Sequence, residues 1–212
     1  MSADIAKRSI TCFGTIIIRL PHLSQTVAAQ LKNFLGLQIS YVTTETIKVL
    51  KDILRKYPNF VQDFVPLICR IQSDQITEND GKVAFVWILG EFGEMIEDSP
   101  YILERMSDEV RELNNSSLSS ALFNSIFKLF FKRAPETVAL FKKVFQEIMQ
   151  NGNDAQLKQR ATFVYRLMST DINKAKEYAE TKTGEFTEFF EDKNDEVRER
   201  LFQEFNSLSV VY

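Results

Sequence analysis

Five prolines occur in the 212 residues, and four of them recur at a nearly regular interval. Pro21, Pro58, Pro100 and Pro135 stand about 35 to 42 residues apart, and each follows one amphipathic run and precedes another. Proline lacks the N–H that a helix interior uses, but in the first turn of a helix that donor is unpaired anyway. Prolines at this interval mark tight turns between the helices of successive pairs. This limits the available folds, because a unit of this length hides its apolar face only by stacking on a neighbour. Pro66 departs from the interval and falls inside a helical run, which predicts a kink or a late helix start.

Between the prolines the apolar periodicity is helical throughout. The first predicted pair is 4–20, with Ile10, Phe13, Ile16 and Ile17 apolar, then 24–35. The second is 40–56, with Tyr41, Ile47, Leu50 and Leu54 on one face, then 59–71. The third is 81–96, then 101–113. The fourth is 117–132, with Leu118, Leu122, Ile126 and Leu129, then 136–149. The fifth is 155–168, then a short helix over about 173–180. Ser99 reads as an N-cap before Pro100, and Ser169-Thr170-Asp171 supplies capping residues where proline is missing. Residues 73–75, 77–81 and 151–154 read as loops.

The fold class is therefore all-α: an α-solenoid of HEAT or armadillo-like helix pairs, about five of them, plus a terminal helix. The expected array is right-handed and curved, with odd helices outside and even helices on the concave face. Repeats are expected over 1–180. Residues 181–212 are expected to form an acidic loop with Phe186, Phe189 and Phe190, then a capping helix after Asn194. That helix would bury Val197, Leu201, Phe205 and Leu208.

The stretch from Gly81 to Pro100 is expected to be the most buried. Val83 to Leu89 is unbroken apolar sequence and includes the only tryptophan, Trp87. A helix apolar nearly all round must be covered on most sides. Gly90 and Gly93 read as points of close helix approach.

Motifs that carry chemistry are scarce. Neither GxxxxGK[ST] nor GxGxxG occurs, so no familiar phosphate loop is present. His22, the single histidine, sits in a turn and reads as a solvated residue. Cys12 and Cys69 lie in apolar helical patterns without metal-ligand spacing and read as reduced, buried thiols. Glu91 and Glu94 are neighbours on a helix but read as a solvated or ion-paired face. Lys128, Lys132, Arg133, Lys142 and Lys143 are a candidate lipid-headgroup cluster, weighed against an ordinary polar face with Glu136 and Glu147 as partners. A net charge of -3 with interspersed signs argues against nucleic acid as the main partner. No segment reaches the roughly 18 consecutive apolar residues of a membrane span. The start lacks the pattern of a signal peptide, so a cytoplasmic chain is expected. No cofactor is called for.

Specific strings add to this reading. Tyr41-Val42 through Lys51-Asp52-Ile53-Leu54-Arg55-Lys56-Tyr57-Pro58-Asn59 resembles the YV…KDI[FL]RKYPN segment of beta-adaptins, the beta-type large subunits of the AP clathrin-adaptor complexes. Val86-Trp87-Ile88-Leu89-Gly90-Glu91 resembles the W-I-[VL]-G-E segment. Lys128-Leu129-Phe130-Phe131-Lys132 with Pro135-Glu136-Thr137 resembles KLFLK…ET. Gln159-Arg160 with Tyr165-Arg166-Leu167-Met168-Ser169-Thr170-Asp171 resembles R…YWRLLSTD, although Ile172 replaces the usual proline. Ser207 to Tyr212 resembles SLASVY. Residues 181–199 match poorly. The order and spacing of the strings resemble the carboxyl-terminal part of an adaptin trunk.

The resemblance implies a non-enzymatic scaffold subunit of a vesicle coat. Its partners would be a medium (mu) subunit and the other large and small adaptor subunits. Membrane association would be peripheral, through the assembled complex on coated-vesicle, Golgi or endosomal membranes. Clathrin would be reached only through a hinge and appendage outside this sequence. The other reading of the architecture is a HEAT-repeat scaffold or transport receptor outside vesicle coats. Helix order nominates Arg70, Arg105, Glu109, Arg111, Lys143 and Gln146, on even helices away from their core faces, as partner-binding residues.

Overall fold

Odd-numbered helices stacked on one another form the spine of the computed structural model, which describes residues 3–113, 116–151 and 154–180. The described residues form ten α-helices and no strand. They are α1 (Ala3–Arg19), α2 (Ser24–Gly36), α3 (Ser40–Lys56), α4 (Val61–Ile68), α5 (Asn79–Glu91), α6 (Ser99–Leu113), α7 (Ser116–Lys132), α8 (Ala134–Asn151), α9 (Ala155–Thr170) and α10 (Ile172–Glu180). They pair as five consecutive hairpins, an all-α solenoid. α1 packs on α3, α3 on α5 and α5 on α7, while α2 meets α4 and α6 meets α8.

The prolines do what their spacing predicts. Pro21 and Pro58 each open a single 3-10 turn ahead of the next α-helix, and Pro100 and Pro135 are each the second residue of a helix. Pro66 lies inside α4, which ends only two residues later, so the late start is not found. Asp171 accepts the N–H groups of Asn173 (2.9 Å) and Lys174 (3.2 Å), capping α10 as expected. Asp154 does the same for α9 through Gln156 (2.8 Å) and Leu157 (3.2 Å). Ser99 does not act as predicted. It is fully buried, and its hydroxyl donates to the Leu89 carbonyl (2.9 Å), tying the start of α6 to the end of α5.

Small residues let the odd helices approach closely. A Cβ on Gly14 would stand 2.6 Å from Val49 of α3, and one on Gly90 would stand 2.6 Å from the Ser125 Cα of α7. α3 lies between two neighbours and buries Val42, Thr43, Thr44, Thr46, Ile47, Val49, Leu50, Ile53 and Leu54. Thr44 is satisfied locally: its hydroxyl donates to the Ser40 carbonyl (2.7 Å) and accepts the Thr77 N–H (3.1 Å).

Four side-level expectations are corrected. α5 starts earlier than predicted, at Asn79, so Gly81 is helical and packs on Thr44; it also stops at Glu91 rather than reaching residue 96. Its carbonyl end is held by the next hairpin. Lys132 donates to the Glu91 carbonyl, and Arg133 reaches the carbonyls of Gly93 (3.3 Å), Ile96 (3.2 Å) and Glu97 (2.8 Å). Cations at orphan carbonyls satisfy their acceptors and oppose the dipole, and so stabilise the stop. Trp87 is only partly buried and meets Phe92 edge-on at 6.1 Å, while Phe85, Val86, Ile88 and Leu89 are fully buried. Cys12 is exposed and Cys69 half-buried, so neither is a core thiol. Ile16 is 38% exposed rather than part of the core face of α1. The expected loop and capping helix of 181–212 lie outside the described residues.

Candidate partner-binding surface

Most of the charged groups singled out in the sequence are used inside the solenoid. Lys128 pairs with Glu91 at 2.7 Å, so Glu91 is an ion-pair partner rather than half of a carboxylate pair with Glu94. Arg133 adds Glu136 to its three carbonyls. Lys143 spans from α8 to Asp108 (3.0 Å) and Glu104 (3.8 Å) of α6. Lys128 and Lys132 both meet Glu91, Arg133 the turn after it and Lys143 the helix α6, while Lys142 is exposed beside the α8 and α9 groove. His22 is exposed in its turn. Among the described residues no group of His, Cys, Asp and Glu could hold a metal, and no helix is long and apolar enough to cross a membrane.

One network was not legible in the sequence. Glu78, just before α5, accepts from Lys7 of α1 and Lys48 of α3. Lys48 also pairs with Glu45 (3.2 Å), which accepts from the Thr11 hydroxyl (2.9 Å). The Lys48 and Lys7 hydrogen bonds lower the Glu78 carboxyl pKa from 4.5 to about 2. Its folded pKa lies below the unfolded one, so its contribution to stability is present above pH 4.5 and is lost as pH falls towards 2. Glu78→Gln should therefore lower stability at pH 7 and flatten the acid limb, with the two proteins converging near pH 2. Urea midpoints measured at intervals between pH 7 and 2 check this. A constant offset at every pH would mean that the carboxylate charge is not what matters.

The six nominated residues separate into groups. Glu109 accepts from Ser73 and lies 4.0 Å from Lys82, and Lys143 is paired as above; both hold neighbouring elements together. Gln146 is exposed on α8. Arg111 belongs to α6, and its side chain lies outside the described residues. Arg70 and Arg105 are brought together, 35 residues apart in sequence, on one cleft of about 460 Å³ where α4 ends and α6 begins. Its other walls include Gln72, Asp98, Tyr101 and Ile102, none of which the sequence pointed to. A second, apolar groove of about 360 Å³ lies against α8 and α9, lined by Phe141, Phe145, Tyr165, Met168 and Ile172.

Comparison with known proteins gives this architecture a lineage. The family pattern described as the adaptin N terminal region matches residues 2–172. Among similar proteins, beta-adaptin-like protein A of Arabidopsis thaliana is 34% identical over 209 residues, which is 98% of this chain and 24% of that protein. The AP-1 complex subunit beta-1 of Rattus norvegicus is 29% identical over 177 residues, covering 84% of this chain and 18% of the relative. The AP-4 complex subunit beta-1 of Mus musculus is 25% identical over 216 residues, covering 100% of this chain and 28% of the relative. The chain thus spans roughly a quarter of the length of these relatives or less. One expectation is corrected here: the matched region is the adaptin amino-terminal region, not the carboxyl-terminal part of a trunk. With helix pairs throughout and the family pattern matched over residues 2–172, this chain belongs to the adaptin family.

Proposed function

We propose that the chain is a non-enzymatic scaffold subunit of an adaptor complex in vesicle-mediated protein transport, and that it holds the medium subunit alongside the other large and small subunits. The observation that carries this reading is the match over residues 2–172 to the adaptin N terminal region, with beta subunits of two different AP complexes among the relatives. The fold is compatible with it: stacked hairpins offer long surfaces for holding a partner. On this reading the chain works on the cytoplasmic face of coated membranes and reaches them through the assembled complex. It needs no cofactor.

The test is reconstitution. Co-expressed with the medium, small and second large subunits of an adaptor complex, the chain is expected to co-elute with the medium subunit on size exclusion, in equal amounts. Elution of a folded chain apart from every adaptor subunit would overturn the proposal.

A further inference from the structure

We propose that the cleft between the end of α4 and the start of α6 recognises an acidic peptide segment of a protein partner, with one carboxylate between Arg70 and Arg105 and an adjacent apolar side chain against Tyr101. This deepens the scaffold reading by naming the chemistry of one contact, and it rests on that reading for there being a protein partner at all.

The first observation is that two guanidiniums share a cleft and neither has an ion-pair or hydrogen-bond partner among the described residues. Nearby cations behave differently: Lys128 and Lys143 reach carboxylates, and Arg133 reaches a carboxylate and carbonyls. Both arginines are exposed, and a guanidinium presents a planar fork of donors that fits a carboxylate bidentately.

The second is the charge balance. Asp98 lines the same cleft. Among the lining side chains two cations and one anion leave a single positive charge, which suits one carboxylate, although Glu97 also acts on the lining thiol of Cys69 and reduces that charge. A doubly charged phosphate would meet Asp98 as well as the arginines and is less well matched. The backbone adds to the preference for an anion. Tyr101 and Ile102 come from the first turn of the 15-residue α6 and Asp98 precedes it, and the amino-terminal end of a helix is electropositive. The opposing carbonyl end of α4 is already occupied. The N–H groups of Cys69, Arg70 and Ile71 each bond at 3.1 Å to the carbonyls of Val65, Leu67 and Ile68.

The third is the apolar side. Tyr101 is 66% exposed, the most exposed of the large apolar and aromatic residues described. It lines the cleft together with Ile102 and Ile71, which are buried. A rigid ring next to a cationic cleft gives an apolar neighbour of the acid a surface to cover. About 460 Å³ suits a pair of side chains rather than a folded domain.

The experiment uses the whole chain immobilised and two matched hexapeptide libraries. In one, Asp or Glu is fixed beside Leu, Ile, Phe or Tyr; in the other, Asn or Gln replaces the acid. Acidic peptides should be retained at least about tenfold more strongly than their amide partners, as expected for a charge-assisted contact. Arg70→Gln with Arg105→Gln should abolish that preference while leaving the circular dichroism unchanged. Equal retention of acid and amide peptides, no retention of either, a preference that survives the double substitution, or tighter binding of phosphoserine peptides would each overturn the proposal. Peptide retention lost with co-elution intact removes this site and leaves the scaffold reading. Co-elution lost with peptide retention intact does the reverse.

Discussion

Phe123→Ala is expected to lower stability by about 3–5 kcal/mol, the range for deleting a large buried ring. Phe123 has no exposed surface. It stacks on Phe127 of its own helix at 6.5 Å and on Phe141 of α8 at 6.0 Å. Phe141 continues to Phe145 at 6.3 Å, and Phe145 to Tyr165 of α9 at 5.4 Å. The ring therefore begins a chain of aromatic contacts joining the fourth hairpin to the fifth. Close packing on both sides leaves the walls little freedom to collapse, so the lost contacts add to the lost burial. Urea unfolding followed through the single tryptophan, on the adjoining hairpin, measures the effect. A shift below about 1 kcal/mol, the range of surface changes, would mean that this site is not the joint between hairpins.

Gly90→Val should also destabilise, by about 1–3 kcal/mol or more, because overpacking a tight contact forces backbone shifts. A Cβ at Gly90 would come within 2.6 Å of both the Cα and the Cβ of Ser125, and 2.7 Å of its hydroxyl oxygen. The Cα cannot turn away as the end of a side chain can, so α5 and α7 would have to separate. Removing glycine from a helix favours folding by up to about 1 kcal/mol, which offsets only part of this cost. Gly36 provides the opposite sign. Nothing lies within 4 Å of a Cβ there. Gly36→Ala should raise stability by about 0.4–1 kcal/mol by restricting the unfolded chain. Thermal melts of the two variants should move in opposite directions. A melt of Gly90→Val at or above that of the parent chain would contradict the close approach of these helices.

Helix existence and order were readable from sequence because the signals are local. The interval between prolines gave the hairpins, and the periodicity of α3 and α7 gave their extents to within a residue. Asp171 announced its cap because an N-cap serves N–H groups only two and three residues ahead. The family strings lie on these same helices. Outcomes that depend on residues 30 to 40 positions away were not readable. Lys132 reaches the last carbonyl of α5 and Arg133 those of the turn after it; Gln38, which no pattern flagged, has a φ of 53° ahead of α3.

Apolar sequence states that a helix must be covered; it does not state which flank a neighbour will reach. That is why Trp87 came out at a rim, why Ile16 and Cys12 face solvent, and why α3 is as enclosed as α5. The nominated binding residues divide for the same reason. Lys143 and Arg105 look alike as cations on even helices, yet Lys143 meets Asp108 and Glu104 while Arg105 opens onto a cleft with Arg70. The chain's local chemistry determined that it would be hairpins of helices. Tertiary packing alone decided which charges those hairpins neutralise among themselves and which stay unpaired among the described residues, because an ion pair depends on distance in space and not in sequence.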